Sequence, residues 1–260
     1  MPFFCRKLQL HCFQKNYLSL QKKDMHLFYD KDISGDFHVL GEEESRHCTK
    51  VLRLVPGDQV FLTDGLGNFY TTIIAETHQK KTILRITNCE KEYGKRNYRI
   101  HLAVAPTKMN ERFEWFVEKA TEIGINEISP IICKNSERKI IKTDRLNRIT
   151  EAAMKQSYKA YHPKINDALD FAKFVKQTHN YDQKFIAHSD DYSGDKFLGK
   201  SLQIKSSYLI LIGPEGDFTK DELVLAKAAG FIEIGLGNSR LRTETAAIVA
   251  CDIVSIINCL

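Results

Sequence analysis

Paired cysteines, metal-ligand spacings and long apolar runs are all missing from this chain of 260 residues. Its seven cysteines stand at 5, 12, 48, 89, 133, 251 and 259, an odd and scattered set without a CxxC pair. That pattern speaks against a disulfide framework or a zinc site and for a reducing, cytoplasmic setting. The histidines are dispersed and no HExxH occurs, so no metal is expected. No apolar run approaches the ~18 residues of a membrane span, so no membrane partner is expected. Acidic residues are absent until Asp24, while Arg6, Lys7, Lys15, Lys22 and Lys23 precede it. Of the formal net charge of +5, +4 therefore sits in residues 1–24 and only +1 in residues 25–260. Global charge is thus a poor argument for a nucleic-acid partner. Residues 1–24 also lack the apolar core of a secretory signal and read as an N-terminal extension, either an upstream start or a dispensable segment.

What is present describes an ordinary globular chain, with 43% hydrophobic and 27% charged residues and length for one large or two small domains. Residues 25–94 read as a small β-rich domain: a short strand over Met25–Tyr29, a helix over Glu42–Leu54, then strands over Gln59–Thr63, Phe69–Glu76 and Thr82–Asn88. Short strands joined by tight turns suggest a closed barrel. The polar stretch 90–97, with Gly94, marks the boundary to a second domain over residues 95–260.

From there strands and helices alternate, which means a mostly parallel sheet covered on both faces. The expected elements are strands over Arg99–Ala105, Glu127–Cys133 and Lys184–His188, and helices over Met109–Ile123, Asp144–Lys159 and Leu169–Gln177. The C-terminal quarter punctuates most clearly. Strands over Tyr208–Ile212 and Phe231–Leu236 each run into a Gly-rich turn that opens a helix, the second helix spanning Glu244–Ile257. In an open α/β sheet such turns lie at the carboxyl ends of strands, where ligands bind. Gly213, Gly216, Gly235 and Gly237 let main chain approach a ligand, and Pro214 stiffens the first turn. Neither loop is a GxGxxG or Walker loop: Arg240 stands at the last Gly position, and no GK[ST] follows. A local basic stretch, Lys134 to Arg148, carries a net +4 and suits either phosphate contacts or a solvated surface.

Ile212-Gly-Pro-Glu-Gly216, with Leu236-Gly237 and Leu241-Arg-Thr-Glu-Thr-Ala-Ala247, resembles the bacterial 16S ribosomal RNA uridine-N3 methyltransferases of the knotted SPOUT class. The resemblance continues through Glu118-Lys-Ala-Thr-Glu-Ile-Gly124, Gln156-Ser157, Arg46-His47 and Val51-Leu-Arg-Leu54, covering residues 25–260. Asp217 and Ser239-Arg240 depart from the family's usual pattern. The resemblance implies a PUA-like RNA-binding β-barrel followed by a SPOUT-type α/β domain with a trefoil knot. It also implies transfer of a methyl group from S-adenosylmethionine to a uridine of 16S rRNA in the small ribosomal subunit.

Carried over residue by residue, the cofactor positions are His188, Ile212, Gly213, Pro214, Glu215, Gly216, Leu236, Gly237, Leu241, Thr243, Thr245 and Ala246. Arg242 supplies a planar cation for the uracil oxygens, or grips phosphate, or pairs with Glu244; Glu244 or Glu215 receives the N3 proton. Arg46, His47, Lys50 and Arg53 on one helix face, with Lys108, Arg112 and Arg138, are the candidate RNA contacts, or else charged outer surface. The last helix is apolar almost all round, which predicts a homodimer, as in the family. Two rivals are a non-catalytic RNA-binding protein and a phosphate-binding enzyme. The second is disfavoured by Glu215 and Asp217 in a loop without lysine.

Overall fold

A computed structural model of the chain describes residues 25–177, 180–188 and 196–260. The expected extension over residues 1–24 lies outside these. Two compact units divide the rest. One runs to Thr63 and resumes over Tyr70–Cys89; the other comprises Asp64–Phe69 with Glu90–Leu260.

The first unit holds β1 (Leu27–Tyr29), β2 (Phe37–Val39), α1 (Glu42–Arg46), a π-helical turn (His47–Val51), β3 (Gln59–Thr63), β4 (Phe69–Glu76) and β5 (Ile83–Glu90). The strands form a curled sheet in the order β1-β3-β4-β5-β2. Leu27 of β1 pairs in parallel with Phe61, and Phe37 of β2 lies antiparallel to Arg85. Alternation along β3 sends Val60 and Leu62 inward to meet Phe28, Leu40, Cys48, Ile74 and Leu84. The buried Ser45 hydroxyl donates to the Leu40 carbonyl at 3.0 Å and accepts the Thr82 N–H at 2.9 Å, fixing α1 to the sheet. The helix expected over Glu42–Leu54 is therefore shorter and loosens into a π turn, and β2 was not expected at all.

The second unit is a parallel sheet with helices on both faces. Its strands are β6 (Arg99–Val104), β7 (Glu127–Ile132), β8 (Lys164–Ile165), β9 (Leu169–Asp170), β10 (Gln183–Ala187), β11 (Ser207–Ile212) and β12 (Ile232–Ile234), ordered β12-β10-β11-β6-β7-β8 with β9 also beside β7. The helices are α2 (Asn110–Ile123), α3 (Thr143–Gln156), α4 (Phe171–Lys176), α5 (Leu198–Ser201), α6 (Lys220–Ala228) and α7 (Thr243–Cys259).

Side chains alternate across the sheet. Leu102, Val104, Tyr208, Ile210 and Ile212 face α2, α3 and α7, burying Phe113, Phe116, Val117, Leu146, Ala247, Ala250, Cys251 and Val254. Ala103, Leu209 and Leu211 face the other way, onto Phe171, Phe174 and Val175 of α4 and Leu223 and Ala226 of α6. Fully burying one such large side chain contributes on the order of 1.5–3 kcal/mol, so the central strands read as continuous apolar runs for an energetic reason. Gly124 ends α2 in the left-handed conformation, φ 103, which an L side chain rarely adopts.

One further sequence expectation needs correction. Leu169–Gln177 is not all helix: Leu169 and Asp170 pair with β7, and the Asp170 carboxylate then caps α4 by accepting the Lys173 N–H at 3.2 Å. α6 opens at Lys220 behind a capping box formed by Thr219 and Glu222. The short strand β8 and helix α5 were not expected. Among the described residues no helix is long and apolar enough to cross a membrane, and no group of three or more His, Cys, Asp or Glu is placed to hold a metal.

Candidate active site

β10, β11 and β12 are neighbours in the sheet, and their carboxyl ends run into His188, the Gly213–Phe218 loop and the Gly235–Arg242 loop. These segments line one cavity of about 580 Å³, within the range that takes a cofactor-sized molecule. The placement follows from strand order: β11 lies between β10 and β6, so the chain reverses direction across the sheet and opens a crevice there.

The first loop is tied from several sides. The Asp217 N–H donates to the Pro214 carbonyl at 2.9 Å, closing a tight turn. The Asn135 amide donates to the carbonyls of Gly216 and Asp217, both at 3.0 Å. The Thr243 hydroxyl, at the start of α7, donates to the Gly213 carbonyl at 3.0 Å and so joins the two loops. Space is tight around them. A Cβ at Gly213 would stand 3.1 Å from the Phe218 ring, and one at Gly216 would stand 3.1 Å from the Asn135 Cβ.

Asp217, where the resemblance leads one to expect Gly, takes φ 58, a region Gly enters freely and Asp tolerates when its side chain is bonded locally. Its carboxylate accepts the Phe218 N–H at 2.7 Å and stands 3.1 Å from His188 Nδ1. The departure from the pattern is thus accommodated in place and links two cavity walls.

His188, Ile212, Gly213, Pro214, Glu215, Gly216, Leu236, Gly237, Leu241, Arg242, Thr243 and Ala246 all border this cavity. Thr245 and Glu244 do not. They border a second, more open cavity of about 520 Å³ with Glu111, Arg112, Trp115 and Arg242. The reason is helical geometry: successive residues on α7 turn by about 100°, so Thr243 and Ala246 share one side and the two residues between them face another. Arg242, exposed at the N-cap of α7 with no side-chain cap bond, borders both cavities.

The two carboxylate candidates differ in their surroundings. Glu215 is exposed and accepts the Lys108 N–H at 2.9 Å. Glu244 is buried at 7% exposure; Arg112 Nε lies 3.8 Å from Oε1, and Oε2 has no hydrogen-bond partner. A buried carboxylate oxygen left without a donor is costly unless something else meets it.

Around the first loop the basic stretch folds back. The Lys134 N–H donates to the Glu222 carboxylate at 2.9 Å, the Arg138 guanidinium donates to the Lys108 carbonyl at 2.8 and 3.1 Å, and Lys108 Nζ pairs with Glu137 at 2.9 Å. Lys108, Arg112 and Arg138 therefore sit on segments that border or brace the two cavities. In the first unit Arg46, His47, Lys50 and Arg53 are all exposed, with Arg46 paired to Glu42 at 2.8 Å and Arg53 at φ 55. Ser239 and Arg240, noted in the sequence only as departures from the pattern, also line the first cavity; sequence reasoning missed Asn135 and Phe218, which lie in the basic stretch or beside a quoted motif, and Trp115, which carries no motif signal.

Residues 94–255 match the RNA methyltransferase domain family, and residues 40–87 match the RNA methyltransferase PUA domain. Among proteins of known structure, a probable rRNA-methyltransferase from Porphyromonas gingivalis is similar at 39% identity and a TM-score of 0.83, over 90% of this chain and 99% of that one. A ribosomal RNA small subunit methyltransferase E from Neisseria gonorrhoeae, solved bound to S-adenosyl methionine, is similar at 25% identity and a TM-score of 0.79, over 89% and 97%. The ribosomal RNA small subunit methyltransferase E of Bacillus subtilis is 26% identical over 253 residues, which cover 93% of this chain and 96% of that protein.

Proposed function

The chain belongs to the RNA methyltransferase family, and from that premise we propose that it methylates N3 of a uridine in 16S rRNA of the small ribosomal subunit, with S-adenosylmethionine as the methyl donor. The observation that carries this reading is the pair of cavities divided by Arg242: one lined by main-chain loops, the other by a buried carboxylate.

The first cavity fits the donor. A side chain at Gly213 or Gly216 would press on Phe218 or Asn135, so the loop presents mainly backbone to the cavity, and Ile212, Leu236, Leu241 and Ala246 supply apolar wall. These residues, with Gly237, Pro214, Thr243 and the His188–Asp217 pair, would hold it. When bound, the donor supplies an electrophilic methyl carbon on a sulfonium. Methyl transfer to N3 would release the N3 proton, which a carboxylate of this chain would take. Glu244 is the better placed acceptor, because its Oε2 is unpartnered whereas Glu215 is engaged by Lys108. The Arg242 guanidinium stabilises the negative charge that spreads to O2 and O4 once the proton leaves.

Lys108, Arg112, Arg138 and the exposed cations of the first unit serve as phosphate contacts. The reading includes α7 threaded through an earlier loop as a trefoil knot, a homodimer and a cytoplasmic setting. Titration of the purified protein with S-adenosylmethionine and with ATP tests the cavity assignment. Mass mapping of 16S rRNA from cells lacking the protein tests the target: loss of one methylated uridine is expected, and unchanged rRNA methylation contradicts it.

A further inference from the structure

We propose that the second cavity is the seat of the target base, with the Trp115 ring as its stacking platform and Glu244 as the group that selects uracil over cytosine. The inference rests on the methyl-transfer reading and adds to it where the base sits and what reads it.

Four observations converge. Trp115 lies on α2 one position before the buried Phe116, yet is 45% exposed. It borders a cavity also lined by Glu244, a carboxylate buried to 7% exposure whose Oε2 has no hydrogen-bond partner. Arg112 and Arg242 supply two planar cations at the same cavity. Arg242 is shared with the first cavity, so a base in the second is adjacent to whatever fills the first.

The chemistry points to one ligand. An aromatic face beside guanidinium planes takes an unstacked base, since single-stranded RNA is recognised by stacking on Trp and Arg and by hydrogen bonds to base edges. A carboxylate accepts only. Uracil presents a proton at N3, whereas cytosine presents a lone pair there, so a carboxylate facing N3 attracts the first and repels the second. The buried Oε2 then gains the donor it lacks, and the same contact starts proton removal. Glu111, the other carboxylate at this cavity, is exposed and leaves the buried acceptor to Glu244.

The chain has one tryptophan, so its emission reports on this position alone. The full-length protein, saturated with S-adenosylhomocysteine to prevent turnover, is titrated with hexauridylate and with hexacytidylate. Hexauridylate is expected to quench emission strongly and hexacytidylate much less; in Glu244→Gln, whose amide can turn either a donor or an acceptor to N3, the preference narrows. In parallel, Trp115→Ala is expected to lower kcat/KM for small ribosomal subunits at least tenfold, the scale of one lost stacking contact, with S-adenosylmethionine affinity and melting unchanged. Trp115→Phe restores most of it. No quenching, equal quenching by both oligomers, or a Trp115→Ala rate within twofold of wild type overturns the proposal. So does emission that shifts with protein concentration alone, because a second copy of the chain would then cover Trp115. A wild-type protein that binds no S-adenosylmethionine would instead remove the methyl-transfer reading itself.

Discussion

The Thr243 hydroxyl donates to the Gly213 carbonyl at 3.0 Å, joining the loop after β11 to the start of α7 across 30 residues of sequence. Both residues border the first cavity, so this one bond sets the spacing of its walls. Thr243→Val keeps the shape and removes the donor. A buried hydrogen bond contributes about 0.5–1.5 kcal/mol, so Tm is expected to fall by roughly 1–6 °C, and S-adenosylmethionine affinity by up to roughly 2- to 12-fold if the wall spacing is lost with it. Calorimetric titration checks this; unchanged affinity would mean the loops hold their spacing without it.

Asp217 offers a test of local strain against local bonding. Asp217→Gly relieves a non-glycine residue at φ 58 but discards the contact with His188. These effects oppose one another at about 1 kcal/mol each, so Tm is expected to move by no more than about 4 °C. A larger fall in a melting scan would show that the His188 contact outweighs the backbone term.

Elsewhere in the sheet Glu127, buried at the start of β7, is held by Arg99, by the Asn166 amide at 2.7 Å and by the Tyr181 hydroxyl at 3.1 Å. Burial by itself raises its pKa, but the charge on His101, the Asn166 amide, the Arg99 guanidinium and the Tyr181 hydroxyl together bring it down to about 2. The folded value lies below the unfolded value of about 4.5, so the stabilisation is complete above pH ~4.5 and is lost as pH falls toward 2. Glu127→Gln is expected to cost about 1–3 kcal/mol at pH 7, with the gap to wild type narrowed but still open at pH 3 in urea unfolding. A gap independent of pH would contradict the assignment.

The proposed homodimer draws on the apolar surface of α7. Ala247, Ala250, Cys251 and Val254 are used in the core, while Ile256 is 50% exposed and Leu260 90% exposed. Light scattering is expected to report about twice the 29.9 kDa chain mass at micromolar concentration. A particle near the chain mass would exclude the dimer.

The legible parts of the sequence share a physical feature. Apolar runs of strand length closed by Gly or Pro, such as Tyr208–Ile212 before Gly213, state both element type and end, and these position the cavity. What escaped notice is short or set by distant partners. Lys164–Ile165 and Leu169–Asp170 are too brief to show a period and exist because β7 pairs with them. His47–Val51 keeps helical spacing while its backbone opens into a π turn. The Thr219–Glu222 cap does have a sequence signal, Thr-x-x-Glu before an apolar run. That Thr245 and Glu244 face away from the first cavity depends on where α7 starts, which a motif does not state.

The central claim is that Arg242 stabilises charge that exists only while the uracil proton is leaving. Arg242 is exposed, caps no backbone group with its side chain, and borders both cavities. A contact that strengthens only in the transition state lowers the barrier without tightening cofactor binding. The decisive measurement is single-turnover methylation of small ribosomal subunits by Arg242→Ala, with calorimetric titration of S-adenosylmethionine on the same preparation. The expected result is a rate lower by roughly a hundredfold or more, partial recovery in Arg242→Lys, and cofactor affinity close to wild type. If cofactor affinity falls as far as the rate, Arg242 belongs to the binding loop and the account is contradicted.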